Sequence, residues 1–355
     1  VCPQAESPED CFRNVENSVE TCRWLDETFN GDLLPFSFDY KGVFRQANEQ
    51  TNGKLFHHLL AILKGWKHAG KNAFQLTIDW GDLDFAHIPI GVLSQVYENF
   101  SKIWDSQQRE QTSAYYTPKN IARYLVDDAF EGVTDKKNAR ILDPSCGAGI
   151  FLVLTFRKLV AARWEHDGKR PDTKAIQSIL YHQLCGFDVS ESALRLAALS
   201  LYITAIELNG TPRPPKSLKF PGPLQSIVLH NHRRSEEQST RGFVLGSLRP
   251  DLTKDFNSRF DLIIGNPPWT RLKGDNEEAK KEIKAHNVVF TKLTRQILIN
   301  RGLEDIAQTY RNPDNNPDLP FLWKSIQWAK PGGIIAMALP GRIFLKQSGS
   351  GIRAF

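Results

Sequence analysis

The chain has 355 residues, 41% of them apolar and 24% charged, ordinary proportions for a globular protein with room for two modest domains. No run approaches the roughly 18 unbroken apolar residues of a membrane span, and no signal-peptide pattern is present. Lysine and arginine number 45 against 40 aspartates and glutamates, a net charge of +5 that permits a polyanionic partner without demanding one.

Cys2, Cys11, Cys22, Cys146 and Cys185 form neither a CxxC pair nor a disulfide framework, so they read as scattered reduced thiols of a cytoplasmic protein. No metal site is expected, because the three N-terminal cysteines lack a fourth ligand at suitable spacing. Residues 1–112 are expected to form a mostly helical region. Leu55–Trp66, "LFHHLLAILKGW", and Ile88–Trp104, "IPIGVLSQVYENFSKIW", place apolar residues at helical spacing. From Lys136 onward strands alternate with helices, the pattern of a mostly parallel α/β sheet filling residues 113–355.

"RILDP" predicts the first strand of that sheet and Ile150–Trp164 the helix after it. "LCGFDV" predicts the second strand, followed by a helix with Ser190 as its N-cap. The polar "HNHRRSEEQSTR" reads as a surface loop, and "GFVLGSL" as the third strand. "FDLIIG" is the fourth strand, and Pro267 and Pro268 must end it, since proline cannot donate to a sheet ladder. A long polar helix is expected over Asp275–Arg301. "LPFLWKSIQWAK" is a further helix closed by "PGG", and "IIAMALP" the fifth strand.

"DPSCGAGIF" runs from the first strand into a helix, where Gly147 and Gly149 let backbone approach a ligand near the helix N-terminus. A dinucleotide fingerprint fits poorly. Its third glycine position holds Leu152, and Asp188, the acid at the end of the second strand, lies about twice as far on as the usual 20 or so residues. The turn also opens with an acid, Asp143, which suits a ligand bearing an ammonium group better than a pyrophosphate. Asp188, at the end of the second strand, can accept from both hydroxyls of a ribose, or serve as the charge at the next helix's N-terminus.

Tyr115–Pro118 "YYTP", Asp143–Gly149 "DPSCGAG", Gly186–Ser190 "GFDVS" and Asn266–Trp269 "NPPW" occur in the order found in gamma-group amino-methyltransferases. Over roughly residues 85–345 the chain resembles the N6-adenine DNA methyltransferases of restriction-modification and related phage-defence systems. The resemblance implies a Rossmann-like methyltransferase sheet with flanking helices, preceded by the helical region. It also implies S-adenosylmethionine as cofactor and double-stranded DNA as substrate. Asn266 and Pro267 would accept hydrogen bonds from the exocyclic amine of adenine, Pro268 would stiffen the turn, and Trp269 would stack on the flipped-out base. Tyr115, Tyr116, Thr117, Pro118, Asp143, Pro144, Gly147, Gly149, Phe151 and Asp188 would line the cofactor. Phe151 reads equally as core. Thr117 and Pro118 also spell a plain helix start, with Thr117 as N-cap and Pro118 at the first helical position.

Two departures stand out. Relatives commonly carry Asp or Asn before the Ser-Leu that follows their third strand, and this chain has Gly246 there, leaving Ser247 or packing on Leu248 to hold the cofactor's adenine. After the fifth strand, relatives add two strands and a target-recognition domain. The chain is therefore expected to be a fragment, completed by such a domain or by a restriction or specificity subunit. An RNA or protein-glutamine methyltransferase, or a non-catalytic cofactor- or DNA-binding remnant, are the competing readings. No acid-lysine cluster of a nuclease precedes residue 85.

Overall fold

The computed structural model describes residues 5–7, 9–33, 39–64, 66–70, 73–76, 117–209, 220–232, 245–268 and 276–341. The chain divides into two compact units, Val1–Pro89 with Pro215–Pro223, and Ile90–Pro214 with Leu224–Phe355.

The first unit holds α1 (Val15–Thr28), α2 (Tyr40–Gln50) and α3 (Leu55–Leu63). Asn14 and Asp39 start α1 and α2, their side chains accepting from the backbone N–H of Asn17 and Gly42. Val19, Cys22 and Tyr40 form a small core with Val15 and Phe44 packed against it. The helix expected over Leu55–Trp66 is shorter than its apolar spacing suggests. It ends at Leu63, ahead of Gly65, and Trp66–Gly70 (β1) instead pairs antiparallel with Ala73–Leu76 (β2). The helix expected over Ile88–Trp104 lies outside the described residues.

The second unit is built on a five-stranded parallel sheet. Its strands are β3 (Ile141–Asp143), β4 (Leu184–Asp188), β5 (Leu229–Asn231), β6 (Phe260–Gly265) and β7 (Ala329–Met337), in the spatial order β5-β4-β3-β6-β7. The first strand in the chain is central, and the order reverses between β3 and β6. In open α/β sheets, ligands bind beyond the carboxyl ends of the strands at such a reversal. Residues in register across the sheet include Asp143 with Gly186 and Leu142 with Ile263.

One face of the sheet carries α4 (Lys119–Glu131), α5 (Ile150–Asp167), α6 (Thr173–Gln183) and α7 (Glu191–Leu208). Helix α5 is apolar almost all round, with Phe151, Leu152, Phe156 and Leu159 at most 2% exposed, as a helix wedged between sheet and neighbouring helices must be. Gly149 and Gly168, both left-handed, bound it. Helix α7 turns Ala193, Ala197, Ala198 and Ser200 inward, small side chains that let it approach closely, and Ser190 caps it as expected. A Cβ on Gly186 would come within 2.7 Å of Leu152, so β4 needs glycine there for α5 to seat.

On the other face, Leu142, Cys185, Phe187, Phe260, Ile263, Trp328 and Ala329 form one core cluster. Beyond it α9 (Glu277–Ile299), α10 (Glu304–Thr309) and α11 (Asp318–Trp328) enclose a second, built from Phe290, Ile297, Leu298, Leu319 and Trp323. Alternation along each short, buried strand sends successive side chains to these two faces.

Two strand expectations are corrected. Gly246–Leu248 is a turn of 3-10 helix rather than part of a third strand, because Gly246 sits at φ +52°, outside the extended region. Gly242–Val244 of that stretch lie outside the described residues; among the described residues the third strand of this sheet in chain order is β5, Leu229–Asn231, which overlaps the stretch expected to be loop. A tight turn launches it, with the N–H groups of Val228 and Leu229 both donating to Leu224 O. The fifth strand also begins before "IIAMALP". Ala329 pairs with Phe260 and Ile334 with Leu262, so Lys330–Gly333 bulge opposite Asp261, with Gly332 at φ +78°. Lys330 Nζ binds both carboxylate oxygens of Asp261, at 2.7 and 2.8 Å, and pins that bulge.

Candidate active site

The carboxyl ends of β3, β4 and β6 bring Asp143, Asp188 and Asn266 to one edge of the sheet. Asp143 is fully buried at the end of β3. Its Oδ1 accepts from Ser145 N–H at 3.1 Å, while Oδ2 is buried with no hydrogen-bond partner among the described residues. Burial, and then the nearby Asp188 carboxylate, push its pKa well above the usual carboxylate range. The Ser145 hydroxyl is likewise buried without a partner among the described residues. Two orphaned polar atoms on the same turn, one acidic, are what an ammonium-bearing ligand would satisfy.

The turn that follows is shaped by glycine. Gly147 and Gly149 have φ +52° and +85°. A Cβ on Gly149 would lie 3.0 Å from Ala197 Cβ of α7, so this glycine allows two helices to meet. Among the described residues a Cβ on Gly147 would meet nothing within 4 Å, which leaves its bare backbone open to a ligand. Asp188 holds this turn from the side: its Oδ2 accepts from Gly147 N–H at 2.8 Å, and its Oδ1 from Val189 and Ser190 N–H, both at 2.8 Å. Burial raises the Asp188 pKa, and these amide bonds oppose the rise. Three of its four lone-pair sites are thus taken by backbone, so a ribose could add to Oδ2 only beside the Gly147 amide. Cys146 N–H donates to Phe187 O at 2.8 Å, a second tie between the turn and β4.

Pro144, next to Asp143, receives the Ser247 hydroxyl on its carbonyl oxygen at 3.0 Å. Ser247 is 4% exposed, and its proton is spent on holding the turn. Leu248 is 1% exposed and packs into the core between α9 and α11. Phe151 is 2% exposed and is core, the second of its two expected roles. The bare position at Gly246 has a packing cause: a Cβ there would stand 2.6 Å from Val189 Cγ1.

At the end of β6, a Cβ on Gly265 would come within 2.7 Å of Asp143 Oδ1 and 3.3 Å of Pro144 Cδ. Glycine therefore lets the Asn266-Pro267-Pro268 segment leave the sheet directly against the β3 turn. After Ala338 N–H donates to Gly265 O, the two prolines follow, and pairing with β7 has already stopped at Gly265. Asn266 is half-buried and Pro267 buried. The Asn266 Nδ2 donates to Thr117 Oγ1 at 3.1 Å across 149 residues of chain. That bond corrects the expected helix start. Pro118 is the N-cap of α4 with no side-chain cap bond, and the Thr117 hydroxyl is directed to Asn266 instead. Tyr115, Tyr116 and Trp269 lie outside the described residues, as do Arg271 and Lys273. Ser145, Gly186 and Val189 also shape the site; they lie inside the "DPSCGAG" and "GFDVS" stretches, which signalled the place but not the part each plays.

A separate cavity of about 430 Å3 opens near the amino ends of the strands, lined by Arg140, His182, His230, Phe256 and Arg259 among others. It lies away from the carboxyl edge. Among the described residues no group of acids, histidines and cysteines could hold a metal ion, and no helix is long and apolar enough to cross a membrane.

A doubly wound parallel sheet with an acid and a glycine turn after its first strand, an acid after its second and an Asn-Pro-Pro segment after its fourth defines a methyltransferase-type Rossmann-like domain. Residues 89–354 match the family model described as N-6 DNA Methylase, and the chain belongs to that family. An adenine-specific methyltransferase, PglX, of Streptomyces coelicolor is 21% identical over 51% of this chain and 16% of its own length. The type II methyltransferase M.HincII of Haemophilus influenzae is 23% identical over 71% of this chain and 32% of its own. The chain thus spans less than a third of the length of these curated relatives. Among solved structures, the ATP-dependent type ISP restriction-modification enzyme LlaBIII bound to DNA shares the fold with a TM-score of 0.53 at 15% identity, over 98% of this chain and 24% of its own.

Proposed function

We propose that this chain is the catalytic part of an S-adenosylmethionine-dependent methyltransferase acting on the N6 amine of adenine in double-stranded DNA, in the cytoplasm and within a restriction-modification or related defence system. The observation that carries the reading is the meeting, at one sheet edge, of the orphaned Asp143 Oδ2 beside the Gly147 turn with the amide of Asn266. S-adenosylmethionine, when bound, supplies a methyl group on a positively charged sulfur. Asp143 and Ser145 suit its ammonium group, the open face of Gly147 its passage over the turn, and Asp188 its ribose.

The chain's own residues then position and polarise. An exocyclic amine of adenine is a poor nucleophile because its lone pair is delocalised into the ring. Asn266 Oδ1 and the Pro267 carbonyl accept its two hydrogens and favour a more tetrahedral nitrogen. The nitrogen lone pair so freed would be directed at the methyl group that the bound cofactor would supply, with the amine proton released to water. Pro267 and Pro268 hold both acceptors in one direction, and Trp269 stacks on the base once it has left the duplex. A target-recognition domain or a specificity subunit would choose the DNA sequence.

The test is transfer of labelled methyl from S-adenosylmethionine to unmethylated duplex DNA, with nucleosides identified by mass spectrometry. Label in N6-methyldeoxyadenosine is expected. Asn266→Ala should lower the rate at least about a hundredfold while cofactor binding, read by calorimetry, stays within about twofold. Label in another base, in RNA or in protein would displace the adenine reading.

A further inference from the structure

We infer that Thr117 is a positioning residue for Asn266: its hydroxyl takes the amide's Nδ2 end and so presents Oδ1 to the exocyclic amine. The inference deepens the function proposed above and rests on it. A primary amide is nearly symmetric in shape, yet its two ends are opposite in hydrogen-bonding sense. Acceptance from an amine requires Oδ1 at the target. A flipped amide would set its own N–H groups against those of the base.

The structure supplies a means of telling the ends apart. Asn266 Nδ2 donates to Thr117 Oγ1 at 3.1 Å, and Thr117 is 7% exposed, so water competes poorly for that bond. With the oxygen accepting from Nδ2, the hydroxyl proton points away from Asn266. The first turn of α4 does not draw the hydroxyl off, because the N-cap is Pro118 and no side chain caps that helix. Thr117 is itself held: a residue before proline is restricted to extended backbone. Pro118 O accepts from Ala122 N–H at 3.0 Å, and Ala122 and Val126 anchor α4 in the core. The side-chain amide of the residue that follows β6 is thereby oriented by the chain just ahead of α4, with Oδ1 at the end opposite the Thr117 bond.

A cofactor contact through Thr117 predicts something different, and kinetics separate the two. In Thr117→Val, which keeps the shape and removes the acceptor, kcat for N6 methylation should fall about tenfold, the worth of one hydrogen bond of roughly 1.4 kcal/mol. The KM for S-adenosylmethionine should stay within about twofold, and Thr117→Ser should recover most of the loss. A raised KM with kcat unchanged would overturn the inference and make Thr117 a cofactor contact. A second readout does not depend on activity. In protein carrying 15N-asparagine, the Asn266 side-chain signal, recognised by its absence in Asn266→Ala, should shift and exchange faster in Thr117→Val but not in Thr117→Ser. An unchanged signal in Thr117→Val overturns the inference even if the wild-type chain proves to methylate nothing, an outcome that would count against the proposed function alone.

Discussion

Asp143 is the residue at which folding and ligand binding oppose each other. Its carboxylate is buried with one oxygen unpartnered among the described residues, an arrangement that costs stability in its charged form. Burial raises its folded pKa above the unfolded value, so the stability it contributes is present in acid and is lost as pH rises through the folded value. Asp143→Asn keeps an oxygen for Ser145 N–H and removes the charge. The substituted chain should therefore melt a few degrees higher than wild type near pH 7 without ligand. Its affinity for S-adenosylmethionine should fall about ten- to hundredfold, the worth of a charge-assisted hydrogen bond. Scanning calorimetry and titration calorimetry read the two halves, and a variant no more stable than wild type would show the carboxylate to be satisfied in the free protein. At this scale the sequence was informative: acid, glycine turn, second acid and Asn-Pro-Pro are each local patterns. What it could not show was partnership. Thr117 looked like a helix cap because caps are local, while its actual partner is 149 residues away.

Among the elements, the turn at Gly246–Leu248 shows how packing overrules pattern. "GFVLGSL" has a strand's composition, yet Gly246 is left-handed and lies against Val189, the residue after the β4 carboxylate. Gly246→Asp, which brings in the residue type common among relatives, should destabilise the chain by about 2–3 kcal/mol, combining backbone strain with overpacking. Val189→Ala in the same chain should return part of that loss, and a double-mutant cycle in urea would show coupling of about 1 kcal/mol or more. Additive effects would show that Val189 is not what excludes a side chain there. The edge strand β5 escaped notice for a different reason. Its three residues, Leu-His-Asn, include one apolar side chain, so no apolar run marks it, and it exists because β4 offers it a partner. Strands β3, β4 and β6 and helices α5, α7 and α11 were legible because their apolar runs are dictated by burial, and α9 as a long polar stretch free of glycine and proline.

Across the whole molecule, two buried bases, His232 and Lys324, add to the pH dependence of stability. His232 is 7% exposed and packs on Phe187 with ring centroids 4.5 Å apart; burial and then His230 lower its pKa to about 4. Its unfolded value is the higher, so the unfolded chain binds the extra proton and stability is lost as pH falls from about 6.5 towards 4. Lys324, 2% exposed in α11 over the Trp328 ring, is lowered to about 8 by burial, and stability should accordingly rise between about pH 8 and 10.5. Urea unfolding at a series of pH values checks both arms. Lys324→Met should abolish the alkaline rise and His232→Phe should flatten the acid fall; an unchanged profile in either variant would assign that arm to other groups.

By itself the sequence determined the class of sheet, the chain order of its central strands and the types of residue carried to their carboxyl ends. Those follow from periodicity and turn chemistry, which act over a few residues. Only the tertiary structure decided which side chains meet: Thr117 with Asn266, Ser247 with Pro144, Gly265 with Asp143, and Gly246 with Val189. Such pairings depend on strand order and on how closely packed backbones approach, and neither is encoded within any single stretch of chain.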